Sequence, residues 1–134
     1  MNKDEISELL DKEYSKNKET HCPALGNELV YFNHEGLRHL KRKGEKIRPI
    51  NDQIRRFYLL SYAMNIISNS QIISNYRTNI DKKGVKIQFW TLSKIIKNRN
   101  VKIVIRQVEN RPKHFFSIFD KKEKPPEGGL SQAR

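Results

Sequence analysis

Two stretches decide the fold: VKIQFW over residues 85–90 and VKIVIR over residues 101–106. In the first, Val85, Ile87 and Phe89 alternate with Lys86, Gln88 and Trp90; in the second, Val101, Ile103 and Ile105 alternate with Lys102, Val104 and Arg106. A period of two is the mark of a strand with two distinct faces. The turn Glu109-Asn110-Arg111-Pro112 then leads into HFFSIF over residues 114–119, and so short a connection predicts an antiparallel hairpin. Residues 71–78 read as a further extended piece.

Upstream the period lengthens toward 3.6. Ile6, Leu9, Leu10 and Tyr14 are spaced for a short amphipathic helix that docks on a core, although the net-negative residues 1–20 also suit a loose arm. Cys22-Pro23-Ala24-Leu25-Gly26-Asn27 has the punctuation of a turn, ELVYFN over residues 28–33 the content of a strand, and residues 34–43 form a helix that stops before Gly44. A longer helix is expected from Asn51, an N-cap after Pro49, with Ile54, Phe57, Leu60, Met64 and Ile67 as its buried stripe and Arg55 and Arg56 turned away. Helices followed by strands predict an α+β domain: helices packed on one face of a small antiparallel sheet of about four strands, the other face open to a ligand. Residues 1–20 are the helix or arm, residues 21–120 the domain. Residues 121–134, KKEKPPEGGLSQAR, lack a hydrophobic pattern and read as a disordered tail.

Composition narrows the function. With 134 residues, 36% hydrophobic and 31% charged, one small core is within reach. No apolar run approaches the roughly 18 residues of a membrane span, and the acidic start MNKDEISELL is unlike a signal peptide, so a soluble, cytoplasmic protein is expected. Cys22 is the single cysteine, which excludes an intrachain disulfide and a cysteine-rich zinc site. The formal charge is +12, and its position says more than its size. Between Arg38 and Arg56 stand eight bases, five of them Arg, against Glu45 and Asp52 alone. Such density attracts phosphate polyanions, and the planar guanidinium suits phosphate better than an ammonium does; the plain alternative is a solvated basic face.

The chemistry open to these residues is limited. Acids are scattered, with no Asp-x-Asp pair to clamp Mg²⁺, and the glycines match neither nucleotide-binding fingerprint, so no metal and no cofactor is expected. Metal-free RNA cleavage needs a base for the 2′-hydroxyl, an acid for the 5′-oxygen and cations on the phosphate. His39, inside the basic cluster, and His114, at the head of a strand, are the candidates for the proton transfers, each of which could equally be a packed or capping residue. Tyr76, Phe89 and Trp90 could stack on bases or belong to the core.

The ordered set CPALGNELVYFNHEGLRHL, Arg48, Arg55-Arg56, Tyr76-Arg77, Phe89-Trp90, VKIVIR and HFFSIF resembles the barnase/EndoU/colicin/RelE superfamily (BECR fold) of toxins, phage proteins and mobile elements over residues 22–119. The resemblance implies a metal-independent endoribonuclease acting on tRNA or mRNA. His39 and His114 would share acid and base roles, with Arg48 and Arg55 as basic companions and Lys43, Arg56, Tyr76, Arg106 and Ser117 as substrate contacts. It also implies an acidic antitoxin or immunity protein as partner. Regular alternation sets His114 and Ser117 on opposite faces, so one site can use both only across a bulge. The rival readings are a non-catalytic RNA- or DNA-binding module and a RelE/ParE-like toxin that acts on a protein.

Overall fold

A computed structural model describes residues 1–122. The elements are α1 (Lys3–Tyr14), β1 (Thr20–Cys22), β2 (Glu28–Val30), α2 (His34–Lys41), β3 (Arg42–Lys43), β4 (Lys46–Ile47), α3 (Ile50–Leu60), α4 (Ala63–Asn69), β5 (Asn75–Ile80), β6 (Lys86–Ile96), β7 (Arg99–Val108) and β8 (His114–Lys122). The protein is α+β, with a four-stranded antiparallel sheet in the order β5-β6-β7-β8 and two small hairpins, β1-β2 and β3-β4. Among the described residues no helix is long and apolar enough to cross a membrane. Because β8 runs through Lys122, the first two residues of the expected tail are strand; the others lie outside the described residues.

One sheet face is the core. Val101, Ile103 and Ile105 of β7, Leu92 of β6, and Phe115 and Ile118 of β8 pack with Leu40, Leu60, Ile66 and Ile67 from the helices. On β6 that face carries Trp90, paired with Ile105, so Phe89 looks the other way, opposite Arg106, although Val85, Ile87 and Phe89 form the more regular apolar series. Helix α1 is docked: Ile6 and Leu10 are fully buried, Asn2 and Glu5 form a capping box, and Lys41 pairs with Asp11 at 2.6 Å.

The long second helix is in fact two. The Ser61 hydroxyl donates to the Tyr58 carbonyl and the Tyr62 amide to the Leu59 carbonyl, tightening the last turn of α3 before α4 restarts. The buried series is therefore Gln53, Leu59 and Leu60, then Ala63, Ile66 and Ile67; Ile54, Phe57 and Met64 are only half-buried. Asn51 lies inside the first turn, and Pro49 occupies the cap with no side-chain bond.

Three aromatic rings fix α2 against β8. Phe32 stacks on Phe115 at 5.0 Å, Tyr14 meets both edge-on or tilted, and the Tyr14 hydroxyl donates to the Asn33 carbonyl at 2.6 Å. Gly36 sits beneath them. A methyl group there would collide with the Tyr14 oxygen, lie 2.5 Å from the Phe115 carbonyl and 2.8 Å from its ring. A backbone carbonyl cannot swing aside as a side chain can. Gly36→Ala should therefore cost about 3 kcal/mol, the upper end for an overpacked core, read as a lowered urea midpoint.

Candidate functional site

A one-residue bulge in β8 assembles the site. Val104 faces Ser117 and Ile105 faces Phe115, which leaves Phe116 as the extra residue. Arg106 pairs with His114, and because residues 104 and 106 share a face of β7, the bulge brings His114 and Ser117 to the same, open face. The side chain of Phe116 joins them there, tilted against Phe89 at 5.7 Å and beneath the Arg106 guanidinium at 4.6 Å.

Helices α2 and α3 overhang this face and close a cavity of about 310 Å³, lined by His39, Lys43, Arg48, Arg56, Arg77, Val104, Phe116, Ser117 and Phe119. His39 stacks on Phe116 with ring centres 4.1 Å apart. Arg48, only 6% exposed, is held on all sides: Nε donates to the His39 carbonyl at 2.8 Å, Nη1 to Asp52 at 3.2 Å, and Nη2 lies 3.3 and 3.4 Å from the two His39 ring nitrogens. Arg56 donates from Nε to the same Asp52 at 2.9 Å and from Nη1 to the Ser117 hydroxyl and the Ile118 carbonyl, both at 2.9 Å. Asp52 and Arg56 stand one turn apart on α3 and Arg48 lies just before the helix, so one carboxylate reaches both guanidinium groups.

Burial first, and then the charges of Arg48, Arg56, Arg106 and Lys43, push the His39 imidazole down to about 4. Burial and the neighbouring Arg48 also pull the Arg56 guanidinium below its ordinary value, against the opposing effect of Asp52. At neutral pH the cavity holds a neutral imidazole among cations.

The sequence-predicted residues divide. His39, Lys43, Arg48, Arg56 and Ser117 come together, and Arg106 stands beside them. His114 has a different employment: its Nε2 accepts from Arg106 Nε at 3.1 Å, so that nitrogen is not free for an acid–base role. Its own imidazole is held down to about 4 by burial and then Arg106. Arg55 is elsewhere. With Arg99 it grips Asp120 beside a separate cavity of about 450 Å³, one helical step away from Arg56 and facing another direction. Tyr76 pairs with Trp90 on the core-side face at the exposed edge strand and donates to Gln88 at 2.7 Å, so it does not reach the site.

Its neighbour Arg77 does, seated over the Phe89 ring at 4.1 Å. Arg77, Val104, Phe116 and Phe119 are lining residues that sequence reasoning missed; the strict alternation of β5 against β6 was the available signal for Arg77, and nothing short of the bulge marks Phe116. Among the described residues no cluster of three or more His, Cys, Asp or Glu side chains is arranged to hold a metal ion. No known protein family, curated protein or solved structure matches the chain.

Both depressed imidazoles make stability acid-sensitive. The unfolded chain takes up these protons near pH 6.5 and the folded one only near pH 4, so their stabilisation is complete above the first value and declines as pH falls toward the second, by about 1.4 kcal/mol per pH unit per histidine. Urea midpoints should drop between pH 7 and 4.5, and the ring resonances of His39 and His114 should titrate near pH 4.

Proposed function

We propose that the protein is a metal-independent endoribonuclease whose site is the His39 cavity. The observation that carries the reading is the juxtaposition of a neutral imidazole with Arg56, Arg77 and Lys43 in a cavity large enough for a phosphate and its ribose. A neutral His39 accepts the 2′-hydroxyl proton; the 2′-oxygen bonds to phosphorus, the bond from phosphorus to the 5′-oxygen breaks, and a 2′,3′-cyclic phosphate and a 5′-hydroxyl result. The cations hold the non-bridging oxygens as charge develops on them. His114 orients Arg106 in place of serving as the acid, so the 5′-oxygen draws its proton from solvent at the open mouth. Phe119, a wall of the cavity on the sheet face, suits an unpaired base, which favours single-stranded regions of tRNA or mRNA.

A binding module without catalysis is the second reading, favoured by the hydrogen bond that engages His114 Nε2 with Arg106 and by the contact of His39 with Arg48. An acidic antitoxin or immunity protein is the partner class that the excess positive charge fits.

End-labelled tRNA incubated with the protein in EDTA should be cut to fragments with cyclic phosphate ends. His39→Ala should slow cutting by about 10²- to 10⁴-fold, whereas Arg55→Ala should leave the rate unchanged. Intact RNA, or cutting that requires Mg²⁺, refutes the mechanism; unimpaired RNA binding by His39→Ala with no cutting by either protein supports the binding module.

A further inference from the structure

The outermost strand of the sheet, β5, is left bare on both faces and along its edge. Tyr76 and Ile80 turn to the core-side face, yet they are 47% and 68% exposed. The placing of the helices explains this: α4 packs on β6 and β7, α2 and α3 pack on β8, and no helix among the described residues packs extensively on β5. Free edges are normally blunted by Lys, Pro or a bulge, and β5 has none of these. Its single charge, Arg77, lies over the Phe89 ring instead of along the edge.

We propose that this edge pairs antiparallel with the same edge of a second copy of the chain, about a two-fold axis at Thr78. The phase of the backbone permits it. The Glu109 amide donates to the Lys86 carbonyl at 2.8 Å and the Asp81 amide to the Val85 carbonyl at 3.0 Å, so Lys86 directs its backbone groups to β7 and its register partner Ile80 directs its own outward. By alternation Tyr76, Thr78 and Ile80 present amides and carbonyls to the outside, while Arg77 and Asn79 bond to β6. Paired about Thr78, Tyr76 meets Ile80 of the second copy, Thr78 meets its counterpart, and each pair exchanges both of its backbone bonds.

The side chains select both register and occupant. An axis at Arg77 sets two guanidinium groups face to face, and one at Asn79 sets Tyr76 against Lys82, which belongs to the turn. The axis at Thr78 uses the whole strand, places Arg77 opposite the neutral Asn79 and joins each exposed Tyr76 to an exposed Ile80. Tyr, polar, Thr, polar, Ile is an order that reads alike from either end about Thr78. Such self-complementarity is what a two-fold contact demands and what a foreign strand does not. Opposed residues share a face, so the axis stands perpendicular to the sheet, the two four-stranded sheets become one, and both His39 cavities open on the same side. A contact one strand wide and about 17 Å long falls short of the roughly 1,200 Å² of a stable interface, so the pairing is reversible. Each chain carries +12, and salt that screens the repulsion between copies strengthens the pairing, the opposite of its effect on a phosphate ligand.

The test is sedimentation equilibrium of the full chain from about 10 μM to about 1 mM in low and high salt, with amide hydrogen exchange at both ends of that range. The mass should rise toward that of two chains, and further in high salt. The Tyr76, Thr78 and Ile80 amides should gain about tenfold or more protection at the high concentration, while those of Arg77 and Asn79 stay as they are. Thr78→Pro, which removes an outward amide, and Ile80→Lys, which sets a cation at each end of the contact, should both hold the chain monomeric, and their urea midpoints check that the fold is kept. A chain that stays monomeric throughout, a dimer that protects other amides, or a dimer that survives in Ile80→Lys overturns the pairing. Protection of the same amides that requires added tRNA assigns the edge to RNA and overturns it as well. None of these measurements reads RNA turnover, so the pairing and the nuclease reading stand or fall separately.

Discussion

The bulge at Phe116 is the constraint on which the site depends. Without the extra residue, Phe115 and Ser117 would share a face, and a strand that keeps Phe115 in the aromatic core would bury Ser117 with it. With it, Phe115 stays against Phe32 and Tyr14, while Phe116 and Ser117 both turn to the open face. His39 then has a ring to stack on and Arg56 a hydroxyl to bond. Gly36 belongs to the same device, because only a residue without a side chain lets α2 approach Phe115 closely enough to bring His39 over its neighbour.

Charge separates the two arginine clusters that the sequence presents as one. Asp120 serves Arg55 and Arg99, and Asp52 serves Arg48 and Arg56, so each acid answers two guanidinium groups. Exposure decides the difference. Arg55 and Arg99 are 48% and 35% exposed, so water screens their surplus charge, whereas Arg48 and Arg56 are 6% and 11% exposed and lack that screening. Desolvating an ion costs several kcal/mol unless partners compensate, and one shared carboxylate compensates only part of two such costs, with Lys43 and Arg77 adding more positive charge at the rim. An anion in the cavity relieves this local excess. The same demand does not arise at Asp120.

The strands were legible because period two survives burial on one face, and VKIVIR marks its core side without ambiguity. The break between α3 and α4 was not, since Ser61 and Tyr62 are ordinary helix residues whose local hydrogen bonds prevail only once Leu60 and Ile66 are held by the sheet. Choosing Tyr76 as a site residue favoured an aromatic ring over parity: Phe89 and Arg77 are register partners, so whichever face holds one holds both, and Tyr76 follows Trp90 to the other. Arg55 and Arg56 are adjacent in sequence and roughly 100° apart on a helix, which no charge count resolves. The hydrogen bonding of His114 was not legible either, because what its Nε2 touches depends on Arg106 across the ladder.

The depressed His39 imidazole has a consequence for how base and ligand act together. In the free protein it is a weak base, held near 4 by burial and four cations. A phosphate placed among Arg56, Arg77 and Lys43 offsets the field of those cations, so the proton affinity of His39 rises when the phosphate binds. Linkage makes the coupling reciprocal: protonation of His39 must tighten the phosphate by the same factor. On the proposed ribonuclease reading the substrate itself thereby strengthens the base, and the imidazolium formed during the reaction would be stabilised by the anion whose charge grows beside it. A histidine with an ordinary value in the empty site would have no such dependence, and the crowd of cations around His39 would then serve binding alone.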